Sequence, residues 1–181
     1  MLKPNDNWIW YYDDVDEHLM LDLGGDMLFK TNLSRKLVVD CAMGVNEFSV
    51  DDATAFQTYK EQIALLGLTE PRQAELTLYC VAAKRFHKPV QPKSWFFDVA
   101  DYGVSSPEEG DIIELSNSYG SGHFVVLEVG ECASLCACVK LDGFDLNGSK
   151  SLEFGQAIKV VHDRMTLAND AFLSQQIAMV G

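Results

Sequence analysis

The sequence lacks the marks of a membrane protein and of a secreted, disulfide-bonded one. No apolar run approaches the ~20 residues that a membrane span needs, and the opening residues MLKPNDNW lack the apolar core of a secretion signal. The cysteines are five, an odd number, and they are spread through 181 residues as Cys41, Cys80, Cys132, Cys136 and Cys138. A disulfide framework is typical of short, cysteine-dense chains. We therefore expect a cytoplasmic protein with reduced thiols that binds no membrane.

Positive charge is also scarce, and its distribution is uneven. Lys and Arg number 14 against 27 Asp and Glu, a net charge of −13 that repels the phosphates of nucleic acids. Residues 1–93 hold ten basic and fourteen acidic residues, whereas residues 94–181 hold four and thirteen. No carboxylate lies between Glu75 and Asp98. That interval contains Lys84, Arg85, Lys88 and Lys93. The pattern predicts a local basic surface on an acidic protein that does not bind nucleic acid.

Motifs of the common catalytic and nucleotide-binding families are missing. The sequence has no GxGxxG, GxxxxGK[ST], HExxH or GxSxG. Cys132, Cys136 and Cys138 suggest a thiolate metal site with His123 or His162 as fourth ligand. Their spacing lacks the CxxC of closed zinc sites, and burial of the cysteines in a strand is the favoured interpretation. We therefore expect no metal, no cofactor and no catalytic residues.

Two other groups of reactive side chains have simple structural explanations. Cys80 and His87 would lie about 10 Å apart along one helix, too far for direct proton transfer. Cys80 is therefore assigned to the core. An acidic run near the start of the chain lacks the spacing and the glycine of a calcium loop, so it is interpreted as a solvated turn. It consists of Asp13, Asp14, Asp16 and Glu17.

The first forty residues are typical of an antiparallel meander. Short apolar and aromatic segments at 8–12, 18–23 and 27–31 are separated by the turn-rich runs DDVDE and GGD. Leu21 and Leu23 share one face of the second segment, because side chains alternate along a strand. Core packing against the helices is favoured for each leucine. The alternative is an apolar groove that binds a partner.

Two helices are predicted after the meander. Ser49 and Asp52 have the spacing of a capping box, and apolar residues then recur at helical spacing up to Gly67. Thr69 is placed at the start of a second helix, which stops near Phe86, ahead of a proline. Its early proline is tolerated because the first backbone amides of a helix lack partners.

The rest of the chain is predicted to be strands only. Residues 87–94 contain two prolines and are interpreted as a connector. Five segments with tight turns between them follow, and this pattern favours a small β-barrel. They are 93–99, 111–118, 123–130, 134–141 and 156–161. Residues 165–181 are predicted to form a tail. The expected fold is α+β, with an N-terminal α/β domain at 1–88 and a C-terminal all-β, barrel-like domain at 89–181.

Particular segments resemble a known family. Eight segments occur in the order seen in the bacterial ZapC family. They are NWIWYYDD, LMLDL, MLF, RKL, SVDDA, QAEL, KPVQPKSW and GQAIKVVHDRM. The resemblance covers most of the chain and is strongest over residues 5–97 and 155–165. It implies a two-domain, non-enzymatic, cytoplasmic cell-division factor without a cofactor. It further implies binding to the tubulin-like protein FtsZ, lateral bundling of FtsZ filaments and stabilisation of the Z ring at midcell.

An FtsZ-binding role constrains the surface, because FtsZ is itself acidic and like charges disfavour docking. We hypothesise that Lys88, Lys93 and Trp95 face FtsZ, with Lys84 and Arg85 beside them. The alternative is a solvated linker with Trp95 in the barrel core. No heptad pattern predicts a coiled-coil dimer, so a monomer with two binding surfaces is favoured. The rival function is a small hydrolase-like or ligand-binding enzyme whose cleft in the barrel uses His123 and Cys132.

Overall fold

The first part of the chain forms a four-stranded antiparallel sheet. The computed structural model describes residues 2–104 and 106–168. Its first strands are β1 (Ile9–Asp13), β2 (His18–Asp22), β3 (Leu28–Ser34) and β4 (Asn46–Glu47). Their order is β3-β2-β1-β4, so the predicted meander is confirmed and β4 extends it by one short edge strand. The sequence offered no signal for β4, because a two-residue strand has no periodicity.

The acidic run forms the turn between β1 and β2. The Asp13 carboxylate accepts hydrogen bonds from the backbone N–H groups of Val15 and Asp16, at 2.8 and 3.2 Å. Glu17 has a φ of 58°, in the left-handed region. The Asp13 hydrogen bonds are those of an Asx turn, and the run's residues are mostly exposed, which confirms its interpretation as a solvated turn.

Two helices pack on the sheet: α1 (Val50–Ile63) and α2 (Glu70–Phe86). The predicted capping box is confirmed, since the Ser49 hydroxyl accepts from the Asp52 N–H and the Asp52 carboxylate accepts from the Ser49 N–H. A 3-10 turn continues α1 to Gly67, whose φ of 71° is the left-handed conformation that glycine tolerates. Thr69 occupies the N-cap of α2 as predicted, but its side chain makes no capping hydrogen bond.

The second part of the chain consists of strands. They are β5 (Ile112–Asn117), β6 (Gly120–Val129), β7 (Ala133–Cys138), β8 (Phe144–Asp145), β9 (Ser151–Leu152), β10 (Ala157–Val161) and β11 (Thr166–Leu167). Five of them form an antiparallel sheet in the order β10-β7-β6-β5-β11, and β8 pairs with β9 in a separate hairpin. Within the described residues the sheet is open at β10 and β11, so it is barrel-like without closing. The prediction of a tail from residue 165 is wrong for its first residues, because Met165 is buried in the core and β11 pairs with β5. Residues 169–181 lie outside the described residues.

The prediction of a strand at 93–99 is wrong. Ser94–Phe96 forms a short 3-10 helix instead. The Ser94 hydroxyl accepts from the backbone N–H of Val161 at 2.9 Å, and Phe97 is the buried residue of the aromatic run. Contacts with a segment more than sixty residues away therefore fix this conformation, and local propensity does not encode them.

Strand β7 is buried at all six positions because both of its faces are covered. Leu135 and Ala137 join a core that also contains residues of β1, β2, α1 and α2. Cys136 and Cys138 face a second core, formed within the C-terminal part of the chain. The helices thus share one continuous core with both sheets. Burial of Cys136 and Cys138 in the strand is confirmed, and Cys80 lies in the first core as predicted.

The close approach of Gly155 to α2 leads to a stability prediction. Gly155 has a φ of +81°, and a Cβ there would lie 2.3 Å from the ring of Tyr79. We expect Gly155→Ala to lower the free energy of unfolding by about 2–4 kcal/mol, from left-handed strain plus overpacking. Gly24→Ala is the matched control, because Gly24 has a φ of +78° and open space around it. Urea denaturation that gave equal losses for both variants would show that the contact with Tyr79 is unimportant.

Candidate protein-binding surface

The structure places Lys88, Lys93 and Trp95 on the surface beside the connector. Both lysines are exposed, and 71% of Trp95 is accessible to solvent. Trp8 and Trp10 are by contrast buried beneath the helices. Trp95 therefore does not lie in the core of the C-terminal part, and the alternative of a core tryptophan is excluded.

A groove runs between the connector, the end of β3 and the C-terminal sheet. We call it the connector groove; its volume is about 330 Å³. Its polar and basic lining residues are Asn32, His87, Gln91, Lys93, Lys150, Ser151, Gln156 and Lys159. Its apolar lining residues are Leu33, Leu37, Val90, Phe96, Leu146, Leu152, Ala157 and Ile158. Both parts of the chain therefore contribute to one concave surface.

The charge of the connector groove is opposite to that of the whole protein. Three lysines line it, with His87, and none of its described lining residues is a carboxylate. The protein as a whole carries a net charge of −13. A concave surface with charge of a single sign raises the local concentration of oppositely charged partners. The groove therefore favours an acidic ligand.

Lys150 and Lys159 are the functional candidates that sequence analysis missed. Lys150 precedes β9 and Lys159 lies on β10, far along the chain from the connector. The backbone N–H of Lys93 donates to the carbonyl of Lys159 at 2.8 Å, which joins the connector to the edge of the C-terminal sheet. Lys150 and Lys159 lie 57 and 66 residues beyond Lys93 in the sequence, so only the tertiary structure brings the three lysines to one groove.

A more open hollow of about 470 Å³ around Trp95 adjoins the connector groove. We call it the aromatic hollow. It shares Lys93, Phe96, Leu146 and Lys150 with the connector groove and adds Tyr119. Tyr119 is 56% exposed, and the rings of Trp95 and Phe96 lie 5.5 Å apart. Exposed aromatic side chains beside basic ones are enriched at protein interfaces. The aromatic hollow is therefore suited to protein contact.

Lys84 and Arg85 lie near this surface but are engaged in ion pairs. Lys84 contacts Glu109 at 2.5 Å, and Arg85 contacts Asp52 at 2.5 Å. Both basic residues also line a neighbouring groove that contains Lys88 and Lys159. Part of the basic segment found in the sequence thus stabilises the fold, and the lysines of the connector face outward.

Tyr59 and Glu109 link the helices to the C-terminal sheet. The Tyr59 hydroxyl contacts the Glu109 carboxylate at 2.9 Å and the backbone carbonyl of Leu127 at 3.2 Å. Burial, reinforced by nearby negative charge including that of Glu109, raises the pKa of Tyr59 far above its ordinary value. The hydroxyl therefore stays protonated and donates. This contact joins α1 to β6 of the C-terminal sheet.

Leu21 is fully buried, and Leu23 is half-buried against the first core. Leu21 lies opposite Trp10 on β1 and Phe29 on β3. The predicted preference for core packing is thus observed for Leu21. A buried side chain offers no surface to a partner, so Leu21 is left out of the candidate surface.

The residues suggested for an enzyme cleft lie toward opposite ends of β6, since His123 is near its start and Cys132 follows its end. Cys132 is exposed, whereas Ser134 and His162 form a buried hydrogen bond of 2.8 Å between Oγ and Nε2. Burial lowers the pKa of His162 and that of His123, which keeps both rings neutral near pH 7. Within residues 2–104 and 106–168, no group of three or more His, Cys, Asp or Glu side chains is placed to hold a metal ion.

The helices of the described chain are too short or too polar to cross a membrane. The longest, α2, has 17 residues and contains five charged side chains. A span of the hydrocarbon core needs about 20 predominantly apolar residues.

Comparison with known proteins gives matches over nearly the whole sequence. The family model described as "Cell-division protein ZapC, N-terminal" matches residues 1–88, and "Cell-division protein ZapC, C-terminal" matches residues 89–171. A protein of Vibrio cholerae named "Cell division protein ZapC" is 63% identical over 99% of both chains. A relative of the same name from Vibrio vulnificus is 58% identical over 100% of both chains. One from Photobacterium profundum is 46% identical, also over 100% of both.

Proposed function

Because the chain belongs to the ZapC family of cell-division proteins, we propose that it is a non-enzymatic cytoplasmic factor that binds FtsZ. In this proposal it is recruited to the division site, promotes lateral bundling of FtsZ filaments and stabilises the Z ring at midcell. It needs no cofactor. The observation that carries the proposal is the connector groove, a basic and partly apolar surface on an acidic protein.

Electrostatics explains why such a surface is needed. Two acidic proteins repel each other at long range, and this repulsion slows encounter most at low salt. Lys88 and Lys93 present positive charge at exposed positions, and Trp95 beside them offers a large apolar side chain. Aromatic anchors next to basic residues contribute strongly to interfaces. The three side chains together form our proposed FtsZ-facing surface.

Bundling requires that one adaptor contact two filaments. A monomer does this with two surfaces, and a dimer does it with one surface used twice. We propose a monomer with a binding surface on each half. Sedimentation velocity of the purified protein at several concentrations measures its mass directly, and a single monomeric species supports this part of the proposal.

Co-sedimentation with FtsZ from the same organism tests the proposed function. FtsZ filaments assembled with GTP pellet on centrifugation, and unassembled FtsZ with GDP serves as the reference. We expect the protein to enter the GTP pellet and to increase the amount of FtsZ that pellets. Protein that stays in the supernatant with both nucleotides and at several salt concentrations would contradict the proposal.

Charge reversal at the connector is expected to remove binding. In Lys88→Glu/Lys93→Glu, attraction to an acidic partner is replaced by repulsion, and we expect the dissociation constant to rise at least about tenfold. The control, Lys3→Glu/Lys140→Glu, makes the same change of charge at exposed residues outside the connector groove and the aromatic hollow. Both variants are compared with wild type by co-sedimentation and circular dichroism. Equal affinity of the two folded variants would contradict the assignment.

A further inference from the structure

We infer that the outer face of the first sheet binds a basic protein segment with apolar side chains at its centre. The outer face is the side of strands β1, β2 and β3 that is turned away from the helices. This partner is opposite in charge to FtsZ, so the surface goes beyond the proposed function and does not depend on it.

The strand pairing defines the outer face. Trp10, Leu21 and Phe29 lie side by side across the three strands, and the Phe29 ring lies 5.3 Å from that of Tyr79 on α2. Successive side chains of a strand point to opposite sides of a sheet. The outer face therefore carries three rows of side chains. They are Ile9, Asp22 and Leu28; Tyr11, Met20 and Lys30; and Asp13, His18 and Ser34.

The outer face has apolar side chains that belong to neither core. Within the described residues, the two cores include none of Ile9, Met20 and Leu28. Leu28 is 56% exposed, and Ile9 is half-buried. Met20 lies in the middle row, flanked across the strands by Tyr11 and Lys30, and is itself buried. An apolar centre of this kind is typical of the middle of a protein interface.

Negative charge surrounds this apolar centre. The sequence has no Lys or Arg between Lys3 and Lys30, an interval that contains seven carboxylates. Asp13 and Asp22 lie on the outer face itself, in the rows on either side of the middle row. Four more carboxylates are exposed in the turns at the two ends of the strands: Asp14, Asp16, Glu17 and Asp26. The face therefore attracts a partner of positive charge.

Tyr11 shows that the carboxylates act on the centre of the face. Burial, together with the negative charges of Asp13, Asp22 and Asp16, raises the pKa of Tyr11. Its phenol therefore stays neutral at physiological pH. The ring is half-exposed, and an aromatic ring attracts a Lys or Arg side chain placed over it. A cationic side chain bound here would interact with both the ring and the carboxylates.

The spacing of the rows specifies the pattern of the bound segment. Asp22 lies opposite Ile9, four residues before Asp13, so the two carboxylates are about 13 Å apart along the strands. An extended segment with basic residues four apart matches this distance and leaves three residues for the apolar centre. A second copy of the chain has a net charge of −13 and is disfavoured as the occupant.

A peptide titration followed by NMR tests the surface. The probe has blocked ends and the sequence Lys-Lys-Leu-Phe-Leu-Lys-Lys, and the amide chemical shifts of isotope-labelled protein report its binding. We expect saturable shifts concentrated in residues 9–34. Binding should be at least about tenfold weaker when Ser-Ser-Ser replaces Leu-Phe-Leu or Asp replaces every Lys. Shifts spread evenly over the protein, absence of saturation, or equal binding of the three peptides would overturn the inference.

Asp13→Asn/Asp22→Asn tests the carboxylates. Both turns are kept, because an asparagine oxygen can accept the N–H groups of Val15 and Gly24 that the carboxylates now accept at 2.8 Å. The control Glu131→Gln/Asp142→Asn removes the same charge at exposed residues of the second part of the chain. We expect the first variant to bind the probe at least about fivefold more weakly than the control. Equal binding would show that net charge alone attracts the peptide, and the inference would fail.

Two further substitutions test the rest of the face. Lys30→Gln removes the lysine that would repel a basic segment, and we expect it to bind the probe about twofold more tightly than wild type. Leu28→Ser should bind at least about threefold more weakly than Leu141→Ser, since Leu141 is 52% exposed but lies in the second part of the chain. Weaker binding by Lys30→Gln, or equal binding by the two serine variants, would contradict the assignment.

Co-sedimentation separates this surface from FtsZ binding. We expect Asp13→Asn/Asp22→Asn to sediment with FtsZ as wild type does. Loss of sedimentation in this variant alone would assign the outer face to FtsZ and overturn the inference. Self-association of wild type that the same variant abolishes would assign the face to a second copy, with the same consequence. If wild type does not sediment with FtsZ, the proposed function fails, and the peptide titration still decides the inference.

Discussion

Replacing Leu21 by Glu is expected to unfold the protein at 25 °C. Leu21 is fully buried in the first core, opposite Trp10 and Phe29 in the strand pairing. The substitution loses the burial of a leucine, worth about 2–5 kcal/mol, and places a carboxylate where no water solvates it. The summed loss of about 5 kcal/mol or more equals the whole stability of many domains. Loss of the near-ultraviolet circular dichroism of the buried tryptophans would report the unfolding.

Leu28→Glu is the matched control for this prediction. Leu28 is the same residue type in the adjacent strand β3, and it is 56% exposed. We expect this variant to fold and to lose less than about 1 kcal/mol, because its carboxylate stays in water. A Leu21→Glu protein that folded normally but no longer bound FtsZ would contradict the core assignment. It would restore Leu21 as a binding residue.

Replacing Asp52 by Ala is expected to lower the free energy of unfolding by about 3–5 kcal/mol. One carboxylate oxygen of Asp52 accepts hydrogen bonds from Trp10 Nε1, Ser49 N–H and Arg85, at 3.1, 2.9 and 2.5 Å. The residue is 4% exposed, and its contacts join β1, α1 and α2. Without the carboxylate, the indole N–H and the largely buried guanidinium lose their acceptor. Urea denaturation monitored by circular dichroism measures the loss.

Asp51→Ala isolates the role of burial. Asp51 lies in the same first turn of α1 and carries the same charge, but it is exposed. Its removal loses only the favourable interaction with the helix dipole, about 0.3–1 kcal/mol. We therefore expect a large difference between the two variants. If Asp51→Ala and Asp52→Ala lowered stability equally, the buried network would contribute nothing beyond the helix dipole.

The role of Asp52 also shows how far sequence analysis extends. Its spacing from Ser49 predicts the capping box, because that motif depends only on residues three apart. The same carboxylate also accepts from Trp10 and Arg85, which are 42 and 33 residues away. No local pattern contains those partners. The sequence predicts that Arg85 belongs to a binding surface, whereas in the structure its guanidinium pairs with the Asp52 carboxylate.

Periodicity and turn chemistry determined the local elements of this protein, because both act over a few residues. They predicted the meander, the ends of α1 and α2, and the burial of Cys136 and Cys138. The family resemblance, carried by colinear segments, was confirmed by the comparisons. The tertiary structure alone decided the 3-10 turn at Ser94–Phe96, the continuous core on both sides of the helices, and the open edge of the barrel-like sheet. It also decided which basic side chains are paired with carboxylates inside the protein and which are exposed. That outcome depends on distances between residues far apart in the chain, and Lys93, Lys150 and Lys159 become one site only when β10 meets the connector.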